Sequence, residues 1–194
     1  QTKTHVYTYD EAQWFELGAL AKFDADFHDK AHHIIATNRI HAAVLPTKRG
    51  GAYCSSSTHR VAPYVMLNFL GKPRDVATMA HELGHAIHAQ YSTHLPLGQQ
   101  HAILPLCETA SVFCELIISE SLYQNAKTKD EQRVLLMTQL EDIMATSHRQ
   151  NMFSQFEQAM HAALDNGPLS TDQLCQLYRA ELTRLFCDAV DCPE

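Results

Sequence analysis

The segment His81-Glu-Leu-Gly-His85 constrains this chain more than any other. On an α-helix, side chains four apart share a face and lie about 6 Å apart along the axis. His81 and His85 can therefore each aim an imidazole nitrogen at a single tetrahedral ion such as Zn²⁺. Glu82, beside the first of them and turned out of the ion's coordination shell, stands where a carboxylate can take a proton from a water on the metal. An ordinary amphipathic helix could carry two histidines by chance, but the surroundings favour a half-buried one. Val76, Met79, Ala80, Leu83 and Ile87 recur at spacings of three and four, which predicts a helix from about Asp75 to Gln90. Pro73 and Asp75 sit where a helix start tolerates proline and favours an acid. Two imidazoles and a carboxylate on a buried helix need partners, because unpaired polar groups in a core are costly.

A catalytic zinc takes three protein ligands and leaves the fourth position open. The downstream donors are His88, His94, His101, Cys107, Glu108 and Glu115. His88 follows His85 by three residues and is turned too far round the helix to close a tetrahedral face with both motif histidines. His94 follows no glycine turn, so the layout with a third histidine shortly after the motif fits badly. Glu108 opens a second expected helix, Leu106 to Tyr123. Pro96 and Pro105 bracket the connection and give the chain a loop in which to reverse. The expected ligand set is His81, His85 and Glu108. Glu115, two turns further along the same face, is either a carboxylate that orients a ligating histidine or a solvent-facing glutamate.

Longer stretches of the chain resemble a known family. Lys48-Arg-Gly-Gly-Ala-Tyr-Cys54, Pro63-Tyr-Val-Met-Leu-Asn-Phe69, His81-Glu-Leu-Gly-His-Ala-Ile-His88, Leu104-Pro-Leu-Cys-Glu-Thr-Ala-Ser-Val-Phe-Cys-Glu115 and Arg149-Gln-Asn-Met-Phe-Ser-Gln-Phe-Glu157 occur in that order. Together they resemble the oligoendopeptidase F branch of the thimet oligopeptidase-like metallopeptidases. The resemblance implies a zincin-like catalytic core, mainly α with a small β element, in which the zinc helix packs on the Glu108 helix beside short antiparallel strands. It implies His81, His85 and Glu108 as ligands of one Zn²⁺, Glu82 as general base, and short unstructured peptides as substrates. His41, Val44 and the stretch from Ser55 to Arg60 depart from the family pattern. The chain begins at Gln1 and stops at Glu194. Against the family it therefore resembles a catalytic-core piece, 1–194, folding as one domain, without the helical region that precedes the core or the His/Tyr segment that follows it. A zinc-loaded but catalytically incomplete core, or a peptide-binding module, is the alternative for such a piece.

Composition narrows the partners. The net charge of −7 leaves no basic surface for nucleic acid, and no stretch is long and apolar enough to span a bilayer. Apolar residues at 45% and charged ones at 19% are those of a globular protein and not of a disordered one. Six cysteines without a Cys-x-x-Cys pair read as small buried residues of a reduced, cytoplasmic protein; only Cys187 and Cys192 are placed for a disulfide.

The expected map is mostly helical. Two helices, Asp10 to Leu17 and Lys22 to Thr37, break near Gly18. A loop over Ala42 to Gly51 precedes strands at Ala52 to Ser55 and Tyr64 to Phe69. After the zinc and Glu108 helices, an amphipathic stretch from Lys129 to Leu164 bends near Ser147, and Ser170 with Gln173 caps a last helix reaching Val190. Gly51, Ala52 and Tyr53 form an edge that could pair with an extended peptide, or else a hairpin packed only for stability. His101 is expected to be a loop histidine in solvent, and His28 with His32, though four apart, surface residues. A di-iron bundle would need a second Glu-x-x-His besides Glu82 to His85, and the sequence has none.

Overall fold

The computed structural model describes residues 5–58, 60–187 and 189–191. The chain divides into two compact units, one ending at Leu135 and the other beginning at Leu136.

In the first unit, α1 (Tyr9–Phe23) and α2 (Ala25–Ala36) are followed by β1 (Ile40–His41), β2 (Tyr53–Ser55) and β3 (Tyr64–Met66), then by α3 (Pro73–Tyr91) and α4 (Leu104–Asn125). The expected break at Gly18 does not occur. One exposed glycine costs a helix about 1 kcal/mol, which the packing of Ala12, Ala19 and Leu20 on either side outweighs. The chain turns instead at Asp24, whose carboxylate accepts hydrogen bonds from the Asp26 and Phe27 N–H groups, at 2.9 and 3.1 Å, and caps α2.

The sheet has the order β1-β3-β2. β2 and β3 pair antiparallel as expected, with Cys54 opposite Val65. β1 is a strand the sequence did not announce, and it runs parallel to β3, so the sheet is mixed. At two residues β1 is too short to show any alternation. Ahead of β2, the loop is held by two side chains. Lys48 Nζ donates to the carbonyls of His41 (2.9 Å), Ala43 (2.8 Å) and Leu67, and Asn68 Nδ2 donates to those of Arg49 and Gly51, both at 2.9 Å.

The core lies where α3 meets α4, α2 and the sheet: Ile34, Val65, Leu67, Val76, Met79, Leu83 and Ile118 are all buried. Each such side chain contributes roughly 1.5–3 kcal/mol of burial. α3 begins with Pro73 in its first turn, and Asp75 Oδ2 accepts from the Leu70 and Lys72 N–H groups at 2.9 and 3.0 Å.

The remaining helices are α5 (Lys129–Met144), α6 (Gln150–Leu164) and α7 (Thr171–Phe186). The bend expected near Ser147 is a π-helical turn, Ala145–Arg149. Within the second unit, Tyr178 of α7 meets Phe153 and Phe156 of α6, with ring centroids 6.3 and 5.2 Å away. The Ser170–Gln173 capping box forms as expected. The last helix stops at Phe186, short of Val190, because Cys187 turns to φ +53°.

The cysteines correct one expectation. Cys114 is buried, Cys54 and Cys107 are partly so, but Cys175 and Cys187 are exposed. All five are free thiols; the suggested pairing with Cys192 lies outside the described residues. No helix among the described residues is long and apolar enough to cross a membrane.

Candidate metal centre

α3 presents His81 and His85 on one face, their rings 4.9 Å apart and nearly perpendicular. α4 starts immediately after the connection expected to reverse the chain and brings Glu108 against them. Glu108 Oε2 lies 3.3 Å from His81 Nε2 and 3.7 Å from His85 Nε2. A tetrahedral ion with bonds of about 2.0–2.1 Å holds its ligand atoms about 3.4 Å apart, which these two separations approach, and all three ligand atoms lie within 4.8 Å of one another. Among the described residues these three are the only group of donors so gathered. Two imidazoles and one carboxylate suit zinc and leave a coordination position free.

The approach of α4 to α3 depends on Gly84. A Cβ built there would lie 2.8 Å from Ser111 Cα and 2.9 Å from the Ala110 carbonyl oxygen, both backbone atoms of α4. Only glycine lets the helices come this close. Ser111, itself fully buried, places its Oγ 3.0 Å from Glu108 Oε2 and 2.9 Å from the Glu108 carbonyl oxygen. Its hydroxyl can thus hold the exposed carboxylate in place. Behind the first histidine, Glu115 Oε2 lies 3.2 Å from His81 Nδ1.

The electrostatics differ between the two imidazoles. Burial pulls the His81 pKa down, but the Glu115 hydrogen bond and the charges of Glu82, Glu115 and Glu108 outweigh it and leave that pKa raised. His85 is lowered, by burial first and by His81 and His88, with only Glu108 opposing. Burial pushes the Glu82 carboxyl up to about 7, with Glu108 adding to the rise while His81 and the Cys54 backbone N–H oppose it. Glu82 is thus buried against the ligands and faces β2.

These groups line a cleft of about 420 Å³. Ala52, Tyr53 and Cys54 form one wall. Gly51 sits one step back at a turn with φ +86°, its carbonyl bound by Asn68. β2 is an outer strand of the sheet, and its Cys54 N–H is held by Glu82. His101 is exposed, as expected, but it lines the cleft as well, as does His88. His94 lies apart, its Nδ1 2.8 Å from the Tyr91 carbonyl oxygen. His28 and His32 stack on α2 with centroids 5.8 Å apart, and His28 pairs with Asp29.

Sequence reasoning had passed over Ser111 and Gly84. A serine three residues after the ligand in an apolar helix, and a glycine inside a helix between two ligands, were the available signals.

A model described as Peptidase family M3 matches residues 11–194. The chain belongs to that family. It is 28% identical over 185 residues to oligopeptidase PepF of Bacillus subtilis, covering 94% of this chain and 28% of that protein. To an oligoendopeptidase F homolog of Lactococcus lactis subsp. lactis it is 32% identical over 183 residues, covering 94% of this chain and 30% of the relative. This M3 chain therefore spans under a third of the length of these relatives. Among solved structures, PZ peptidase A with an inhibitor superposes with a TM-score of 0.79 at 18% identity, over 92% of this chain and 31% of that one. At that identity the likeness speaks for the fold, which is mainly helical with a small sheet.

Proposed function

We propose that this chain hydrolyses peptide bonds of short oligopeptides with one zinc ion held by His81, His85 and Glu108. The observation that carries this is the gathering of His81, His85 and Glu108 with ligand atoms within 4.8 Å of one another and the buried Glu82 carboxyl beside them. Membership of a peptidase family, and relatives named oligopeptidase and oligoendopeptidase, support the same reaction class and substrate size.

His81, His85 and Glu108 would hold the zinc, which would supply Lewis acidity to activate water and polarise the scissile carbonyl. Glu82 accepts the proton of the attacking water and delivers it to the leaving amine. Glu115 holds His81 by its Nδ1–H, which keeps the Nε2 lone pair directed at the metal. Ser111 fixes the Glu108 carboxylate from the other side. Beside the Cys54 N–H that Glu82 holds, the outer strand Tyr53–Ser55 pairs with the main chain of an extended peptide, an interaction indifferent to side-chain sequence.

The test is hydrolysis of an internally quenched peptide mixture with and without a zinc chelator. Cleavage that the chelator stops and added zinc restores is the expected result. Chelator-insensitive cleavage would refute the metal mechanism. Zinc uptake without any cleavage would leave a metal-loaded core that binds peptides at most.

A further inference from the structure

A second cavity, of about 370 Å³, opens beside the cleft. The two share part of their walls: Ser56, Ala89, Gln100 and His101 line both. The chain of β2 leads from one to the other. Cys54 faces Glu82 in the cleft, while Ser56 and Thr58 line the second cavity. Thr58 is four residues past Cys54, a reach of at most about 14 Å. An extended peptide laid along the outer side of β2, with its scissile bond beside Glu82, enters the second cavity within about four residues.

The cavity has an unusual charge character for this protein. The chain carries a net charge of −7, yet the ionisable side chains in this wall are Lys30, His33 and His101, with no aspartate or glutamate among the described lining residues. Lys30 has a counter-ion already: its Nζ lies 2.9 Å from Asp26 Oδ1 and 4.5 Å over the Tyr91 ring. His33 and His101 are exposed, and neither imidazole is ion-paired among the described residues. The Ser56 and Thr58 hydroxyls add hydrogen-bond donors on the strand side.

We propose that this cavity is a substrate subsite for a carboxylate, two to four residues from the bond that is cut, received by His33 and His101 with the Ser56 and Thr58 hydroxyls; it rests on the cleft being a peptidase site. The carboxylate belongs either to an acidic side chain or to the substrate's own C-terminus.

The experiment measures binding of short alanine-based peptides to the zinc-loaded Glu82→Gln protein by fluorescence anisotropy. One glutamate is moved along the peptide, each peptide is compared with its glutamine counterpart, and each is made with a free and an amidated C-terminus. The expected result is about five-fold tighter binding of the carboxylate form at one register, the ceiling for a solvent-accessible ion pair, and its loss in a His33→Ala/His101→Ala background. A preference that follows the glutamate assigns the subsite to a side chain, and one that follows the free terminus assigns it to the C-terminus. Equal binding of acid and amide forms at every register, survival of the preference without both histidines, or no binding of any peptide would overturn the subsite. Wild-type hydrolysis run in parallel separates the two ideas. Chelator-sensitive cleavage with a flat preference removes the subsite and keeps the peptidase, whereas a carboxylate preference in a protein that cuts nothing removes the peptidase.

Discussion

Glu115 Oε2 stands 3.2 Å from His81 Nδ1, while Nε2 of the same ring faces Glu108 Oε2 at 3.3 Å. One helix thus carries both Glu108, a proposed ligand, and Glu115, which touches the other nitrogen of the His81 ring, two turns apart. Glu115→Ala should weaken zinc binding by about 10- to 100-fold, read by competition with a chromophoric chelator. Unchanged affinity would return Glu115 to the status of a half-exposed surface glutamate.

Gly84→Ala should separate α3 from α4, because the new methyl group meets the backbone of Ser111 and Ala110, which cannot rotate away. Overpacking of this kind costs about 1–3 kcal/mol. The histidines ride on one helix and Glu108 on the other, so zinc affinity should fall together with urea stability. A variant that lost neither would mean that the helix pair has slack at this crossing.

Glu82→Gln should keep zinc and lose turnover, since the amide cannot take up a proton. His81→Ala and Glu108→Ala should lose zinc itself, because each removes one of the three proposed ligands. Metal content by mass spectrometry, set beside peptide hydrolysis, separates these roles. Wild-type hydrolysis by Glu82→Gln would disprove its assignment as the base.

Glu16 makes a pH prediction away from the metal. It is wholly buried in α1, neither carboxyl oxygen has a hydrogen-bond partner among the described residues, and burial raises its pKa well above 4.5. The folded protein therefore keeps a proton that the unfolded chain releases above pH 4.5, and stability falls as pH rises from there toward the folded-state pKa. One proton gives a slope of at most about 1.4 kcal/mol per pH unit. Glu16→Gln has no proton to lose, so the stability of wild type relative to this variant should decline with pH in urea titrations. Parallel curves for the two proteins would show that Glu16 is ionised and paired in the fold.

Local periodicity carried far in this chain. The position of α3, and the shared face of His81 and His85, were legible because a 3.6-residue repeat fixes which side chains lie together, whereas Glu108 was reached through the reversal between Pro96 and Pro105 and the family resemblance. Helix ends were less legible. Gly18 and Asp24 both interrupt the pattern, and packing around Ala12, Ala19 and Leu20 decided that the helix continues through the first and stops at the second. β1 escaped notice because two residues have no period.

By itself the sequence determined which donors exist, which of them lie on one helical face, and the order in which the helices follow one another. All of this is set by bond geometry within a few residues. Only the tertiary structure decided how close α4 comes to α3, that Glu115 reaches the His81 ring, that β2 rather than β1 or β3 lies beside Glu82, and that His101 lines the cleft. Those distances join residues far apart in the chain. They follow from how buried surfaces interlock and are not encoded in any local repeat.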